Sequence, residues 1–129
     1  MTPPASDAPI RVMIVDDSAV IRGLLTRYVD AEDDLYVVAT AADGKMALDS
    51  LKRAEPDVAI LDIEMPGMDG MMALPQLIAA DPKLQVLMAS TLTRQNAEIS
   101  LKAMSLGAAD YLAKPTSRSE LHNSDHFKR

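Results

Sequence analysis

Two acidic clusters carry the groups in this chain best suited to chemistry. "VDDS" at Val15–Ser18 ends one apolar run in Asp16 and Asp17, and "AILDIEMPGMDG" at Ala59–Gly70 ends another in Asp62, with Glu64 just past it. A further apolar run ends at Ser90 and Thr91, and another at Lys114, before Pro115. Carboxylates brought together repel one another, which raises their pKa values or recruits a cation. The chain has no cysteine and no histidine near these runs, so the ligands on offer are oxygens and a hard ion such as Mg²⁺ suits them. A lysine at 114 would pair with Asp62 and with an arriving phosphoryl group, and the Ser90 hydroxyl could donate to a phosphoryl oxygen. A carboxylate can itself be the nucleophile and form an aspartyl-phosphate. Positioning and charge neutralisation then supply most of the catalysis. Taken singly, each group has a plainer reading: acids at strand ends are solvated, Lys114 is a surface lysine, and Ser90 meets backbone needs. Their convergence decides between the readings, and convergence depends on the fold.

The elements that must position them are short apolar runs alternating with helical patterns. "IRVMIVD", "LYVVAT", "DVAILDI", "LQVLMAS" and "ADYLAKP" read as five strands, the first apolar on nearly every position, as a strand buried on both faces should be. Ser18 is an N-cap, and Ile21, Leu24, Leu25 and Tyr28 then share one helix face. "GKMALDSLKRA" places Ala47, Leu51 and Ala54 together and is stopped by Pro56; "MDGMMALPQLIAA" aligns Met71, Leu74 and Ile78; "RQNAEISLKAMSL" closes on Gly107. The order βαβαβαβαβ predicts an α/β fold: a doubly wound, flavodoxin-like parallel sheet of five strands in the order 2-1-3-4-5. Such folds place their site beyond the carboxyl ends of the strands where the order reverses. That rule brings Asp16, Asp17 and Asp62 together and sets Lys114 and Ser90 on the far side of Asp62.

Bulk composition narrows the partners. A formal net charge of -6 argues against nucleic acid, and three Tyr with one Phe give no stacking platform for single strands. No apolar run is long enough to span a bilayer, and "MTPPASDAPI" lacks the basic start and apolar stretch of a signal peptide, so the expected location is cytoplasmic. Residues 1–9 read as a flexible leader, 10–115 as the folded domain, and 116–129 as a polar tail or linker with at most the start of a fifth helix.

In this order and at these separations, "VDDS", "LDIEMPGMDG", "MASTLT" and "GAADYLAKP" resemble the receiver domain of two-component response regulators. The resemblance covers roughly Ile10 to Pro115. It implies that Asp62 accepts a phosphoryl group from a sensor histidine kinase. It implies Mg²⁺ held by Asp17, Asp62 and the backbone carbonyl of Glu64, with Asp16 helping through water. It makes Ser90 the switch hydroxyl, Tyr111 the aromatic that changes rotamer, and Lys114 the lysine of the pattern. More finely, "DIEMPGMDGMMALPQL" and "MASTLTRQNAEISLKAMSLGAADYLAKPT" are similar to the regulatory domain of chemotaxis protein-glutamate methylesterases. The linker and serine-hydrolase domain of those proteins are not matched here, and there is no G-x-S-x-G elbow. The expectation is therefore a regulatory-domain fragment or a stand-alone relative, whose own chemistry is self-phosphorylation and dephosphorylation and whose output is contact with an esterase domain or another effector.

Two departures from the pattern matter. Pro75 lies inside the third helix, where a kink is expected. "TSRSELHNSDHFKR" has only Leu121 and Phe127 as large apolar residues, so the family's last helix is expected to be missing or stunted, leaving a sheet face that invites self-association. Met65, Met68, Met71 and Met72 read first as gap-fillers and second as an adaptable partner surface. His122, Asp125 and His126 only loosely suggest a zinc pair, since no third ligand accompanies them. Gly67 and Gly70 read as turn residues. Two rival readings share the topology: a Mg²⁺-dependent phosphatase with an aspartate nucleophile, for which no cap insertion is present, and a flavin carrier, whose phosphate-cradling turn is replaced by "VDDS".

Overall fold

A computed structural model describes residues 9–65, 67–91 and 93–114. Among them, five strands, β1 (Ile10–Val15), β2 (Leu35–Ala41), β3 (Val58–Asp62), β4 (Gln85–Ser90) and β5 (Asp110–Ala113), alternate with four helices. The helices are α1 (Ala19–Asp30), α2 (Gly44–Ala54), α3 (Gly70–Ala80) and α4 (Arg94–Ser105). The strands form one parallel sheet in the order β2-β1-β3-β4-β5, as the sequence predicts.

One cap chemistry starts all four helices. Ser18, Asp43, Asp69 and Thr93 each accept a hydrogen bond from the backbone N–H three residues on, at Ile21, Met46, Met72 and Asn96. The far end of α2 is closed differently. Arg11, reaching across from β1, donates to the carbonyls of Ala54 (2.6 Å) and Glu55 (3.1 Å), and Glu55 itself takes a left-handed conformation. Helix α3 runs from Gly70 to Ala80 with Pro75 inside it, on an exposed position. No helix among the described residues is long and apolar enough to cross a membrane.

Side chains alternate across a sheet, and this alternation sorts the core. Met13, Val15, Ala59, Leu61, Val86 and Met88 face one way and pack under Ala47 and Leu51 of α2, Leu74 and Leu77 of α3, and Ala103 of α4. Val12, Ile14, Ile60 and Ala89 face the other way, under Leu25 and Val29 of α1. Each buried aliphatic side chain contributes roughly 1.5–3 kcal/mol, so these two layers fix the strand register that the site depends on. On the α1 side an apolar groove of about 180 Å³ runs past Val58, Ile60, Leu87 and Leu112. The expected missing or stunted last helix concerns residues 116–129, which lie outside the described residues, as do residues 1–8 of the expected leader, Pro66, Pro115 and the His122–Asp125–His126 group.

Candidate functional site

Extending the alternation past the strand ends predicts which charges meet. Asp16 follows Ile14, Asp62 follows Ile60 and Lys114 follows Leu112, so all three continue the α1-side rows of their strands. Asp62 also stands in register with Ala89 of β4. The carboxylates of Asp16, Asp17 and Asp62 duly lie within 4.8 Å of one another. The Lys114 ammonium approaches from β5, donating to Asp62 Oδ1 at 3.1 Å and standing 3.4 Å from Asp16 Oδ2.

The backbone holds this group firmly. Asp16 donates its N–H to the Ala41 carbonyl (3.0 Å), its Oδ1 accepts from the Ser18 N–H (2.9 Å), and its carbonyl accepts from Arg22 Nη1 (2.6 Å). Asp62 Oδ1 accepts from the Glu64 N–H (3.2 Å) as well as from Lys114. The Lys114 N–H donates to the Ser90 carbonyl (2.9 Å), which ties β5 to the end of β4. Gly70 begins α3 against the backbone of β3. Its N–H donates to the Ile63 carbonyl (2.9 Å), and a Cβ there would collide with the Asp62 carbonyl oxygen and lie 2.9 Å from Ile63 Cα. That close approach, and not a turn conformation, is why glycine stands at 70, whereas Gly67 does take the left-handed turn conformation at φ 74°.

Charge in the pocket does not balance. Among the described residues, three carboxylates against one ammonium leave two negative charges uncompensated. Asp62 is only 1% exposed, and burial with the neighbouring Asp16 carboxylate pushes its pKa up to about 6 despite Lys114. Burial alone would pull Lys114 down, but its hydrogen bond to Asp62 and the two carboxylate charges outweigh that and hold its pKa above the ordinary value. Asp62 Oδ2 is buried and, among the described residues, accepts no hydrogen bond. A buried acceptor left unspent beside two excess negative charges is what a site for a divalent cation and an incoming electrophile requires, and the all-oxygen donors fit a hard ion.

Not every residue singled out in the sequence reaches this cluster. The Glu64 side chain is exposed and stands outside the three-carboxylate group; only its N–H touches Asp62. Ser90 is buried at the carboxyl end of β4, and Tyr111, in register with Met88, shares the α4 side of the sheet with it. Both line a cavity of about 460 Å³ between α4 and β5. Arg22 is the site contact that sequence reading passed over. Its only signal is its place one turn past the Ser18 cap, from which a long side chain can reach back over the start of α1.

Fold and pocket together define an α/β domain of receiver type, with an acidic pocket at the carboxyl ends of its strands. The chain belongs to the response regulator receiver domain family, whose model matches residues 12–124 and whose role is that of a phosphorylation-controlled switch. It is 53% identical over 125 residues to the protein-glutamate methylesterase/protein-glutamine glutaminase of Azospirillum brasilense, a match covering 97% of this chain and 32% of that protein. The chain thus spans about a third of the length of the curated relatives it matches. Among solved structures it is similar to the response regulator domain of Thermotoga maritima CheB, with 36% identity, a TM-score of 0.83, and 93% and 91% of the two chains covered. It is also similar to a chain in the complex of the P1 domain of CheA3 with CheY6 from R. sphaeroides, with 34% identity, a TM-score of 0.74, and 93% and 96% covered.

Proposed function

We propose that this domain is the regulatory part of a cytoplasmic chemotaxis protein-glutamate methylesterase and that Asp62 is its phosphoryl acceptor. The partnerless, buried Asp62 Oδ2 carries the reading. Asp16, Asp17, Asp62 and the Glu64 carbonyl would hold Mg²⁺, which when bound supplies neutralisation of the excess charge and of the phosphoryl oxygens. Asp62 Oδ2 attacks the phosphorus of a phosphohistidine on a sensor kinase. The new O–P bond forms as the P–N bond breaks, and the imidazole nitrogen keeps the electron pair. Lys114, already on Oδ1, keeps the carboxylate oriented and offers a second charge to the transferred group. Water attack on phosphorus later returns the free carboxylate. The phosphoryl group carries about -1.5 to -2 charge, as on other phospho-residues, in place of the single charge of the free carboxylate. Ser90 then turns to the new oxygens, and Tyr111 moves into the space beside α4. The altered face contacts an esterase domain or another effector, with residues 10–115 acting as the receiver unit and 116–129 as linker.

Self-association through the apolar groove on the α1 side belongs to the same reading; sedimentation independent of concentration would remove it. The acceptor is tested by incubation with a small acyl-phosphate donor and Mg²⁺. Wild type should gain one phosphoryl mass and Asp62→Asn none. Equal labelling of the two would mean that another group is the nucleophile.

A further inference from the structure

The inward stripe of α4 is Asn96, Ser100 and Ala103, spaced i, i+4, i+7 and all buried. Two of the three are accounted for. Ala103 sits in the core, and the Asn96 amide donates to the Thr91 carbonyl (3.2 Å) and the Thr91 hydroxyl (3.1 Å). Ser100 is not. It is 1% exposed, and its Oγ has no hydrogen-bond partner among the described residues. A buried hydroxyl without a partner costs stability that alanine at the same position would not, so it calls for an explanation.

The surroundings supply one. Ser100 lines the cavity of about 460 Å³ between α4 and β5, and Tyr111 lines it too. Register with Met88 turns the Tyr111 side chain toward α4, yet the residue is 45% exposed and its hydroxyl makes no hydrogen bond among the described residues. An aromatic ring thus stands at the rim of a space with an unpaired hydroxyl inside it. The other hydroxyls along the cavity have work elsewhere: Thr91 accepts from Asn96, Thr93 caps α4, and Ser90 is the group proposed to turn toward phosphate.

We propose that Ser100 is the hydrogen-bond partner that the Tyr111 hydroxyl takes when its ring enters the cavity between α4 and β5. This rests on the switch reading above and assigns its inward state a specific latch. The phenol O–H donates and Ser100 Oγ accepts. Ser100 is a positioning residue, remote from the reacting atoms, and its unpaired state is the cost carried by the unmodified form. Phosphorylation is then favoured by the pairing, because only the inward ring satisfies both hydroxyls.

A double-mutant cycle on the 129-residue chain tests this, using wild type, Ser100→Ala, Tyr111→Phe and the double variant. The readout is the dissociation constant for beryllium trifluoride at saturating Mg²⁺, with fluorotyrosine resonances reporting the environment of ring 111. Each single change should weaken the mimic about three- to tenfold, and the double variant should be no weaker than either single. Without the mimic, Ser100→Ala should melt no lower than wild type, whereas a serine with only a structural role would lose stability. Effects that multiply in the double variant, or Ser100→Ala binding the mimic like wild type, overturn the pairing and leave the switch reading standing. A wild type that binds no mimic overturns both.

Discussion

The acid pocket and the α4–β5 flank lie next to each other at the ends of β4 and β5, yet they are built to different tolerances. In the pocket, Asp16 is fixed through its N–H, its carbonyl and one carboxylate oxygen, and Asp62 through the Glu64 N–H and Lys114. On the flank there is a cavity, an unpaired Ser100 hydroxyl, and Leu101, Met104, Leu106 and Tyr111 left exposed. Covalent transfer needs atoms held to fractions of an ångström, because a displaced nucleophile loses its alignment. A readout surface needs the reverse: two arrangements of similar free energy, which a tightly packed region cannot provide. The boundary between them is the row parity of the sheet. Asp62 and Lys114 continue the α1-side rows, while Ser90 and Tyr111 continue the rows beneath α4.

The largest expected effect falls on the rigid side. Lys114→Ala leaves Asp16 and Asp62 facing each other without their cation and should cost about 3–5 kcal/mol at neutral pH without metal, read from urea unfolding. A cost under about 1 kcal/mol would mean that Lys114 behaves as a surface pair and that the pocket is not a desolvated unit.

Next is the pH dependence of the metal-free fold. The Asp62 pKa is about 6 when folded against an ordinary 3.8, so the folded protein holds a proton that the unfolded chain releases between those values. This group's contribution is therefore complete below about pH 4 and is lost as pH rises through 6, by up to about 3 kcal/mol. Asp62→Asn should flatten that decline and be the more stable protein above pH 6. Added Mg²⁺ should recover stability for wild type above pH 6 and do little for it below pH 4. Parallel pH profiles for wild type and Asp62→Asn would rule out the buried, raised carboxylate.

The smallest effect belongs to the flank. Thr93→Ala removes the α4 cap and should cost about 1 kcal/mol. It should speed hydrogen exchange in the first turn of α4 while the β1 and β3 amides keep their protection. Uniform acceleration across the sheet would show that the two regions open together and that the difference in tolerance is not real.

Much of this was legible in the sequence because it rests on local rules. Strand order follows from alternating elements, and Asp16, Asp17, Asp62 and Lys114 follow from strand order. Ser18 as a cap and the buried face of α2 follow from spacing alone. What escaped depends on how elements land on one another. Gly70 reads as a turn glycine until α3 is seen resting on the Asp62 carbonyl. Arg22 reads as a helix-surface cation until its guanidinium is found on the Asp16 carbonyl. Ser100 reads as one polar residue among several in "NAEISLKAMS", because nothing in helical spacing reveals that a cavity lies beneath it.

Locating the phosphoryl group decides whether the pocket does what its geometry suggests. After labelling with an acyl-phosphate donor and Mg²⁺, borohydride reduces an aspartyl-phosphate to homoserine, and peptide mass spectrometry reads the position. Conversion at Asp62 alone is expected; conversion at Asp16 or Asp17, with Asp62 untouched, would contradict the assignment of the nucleophile.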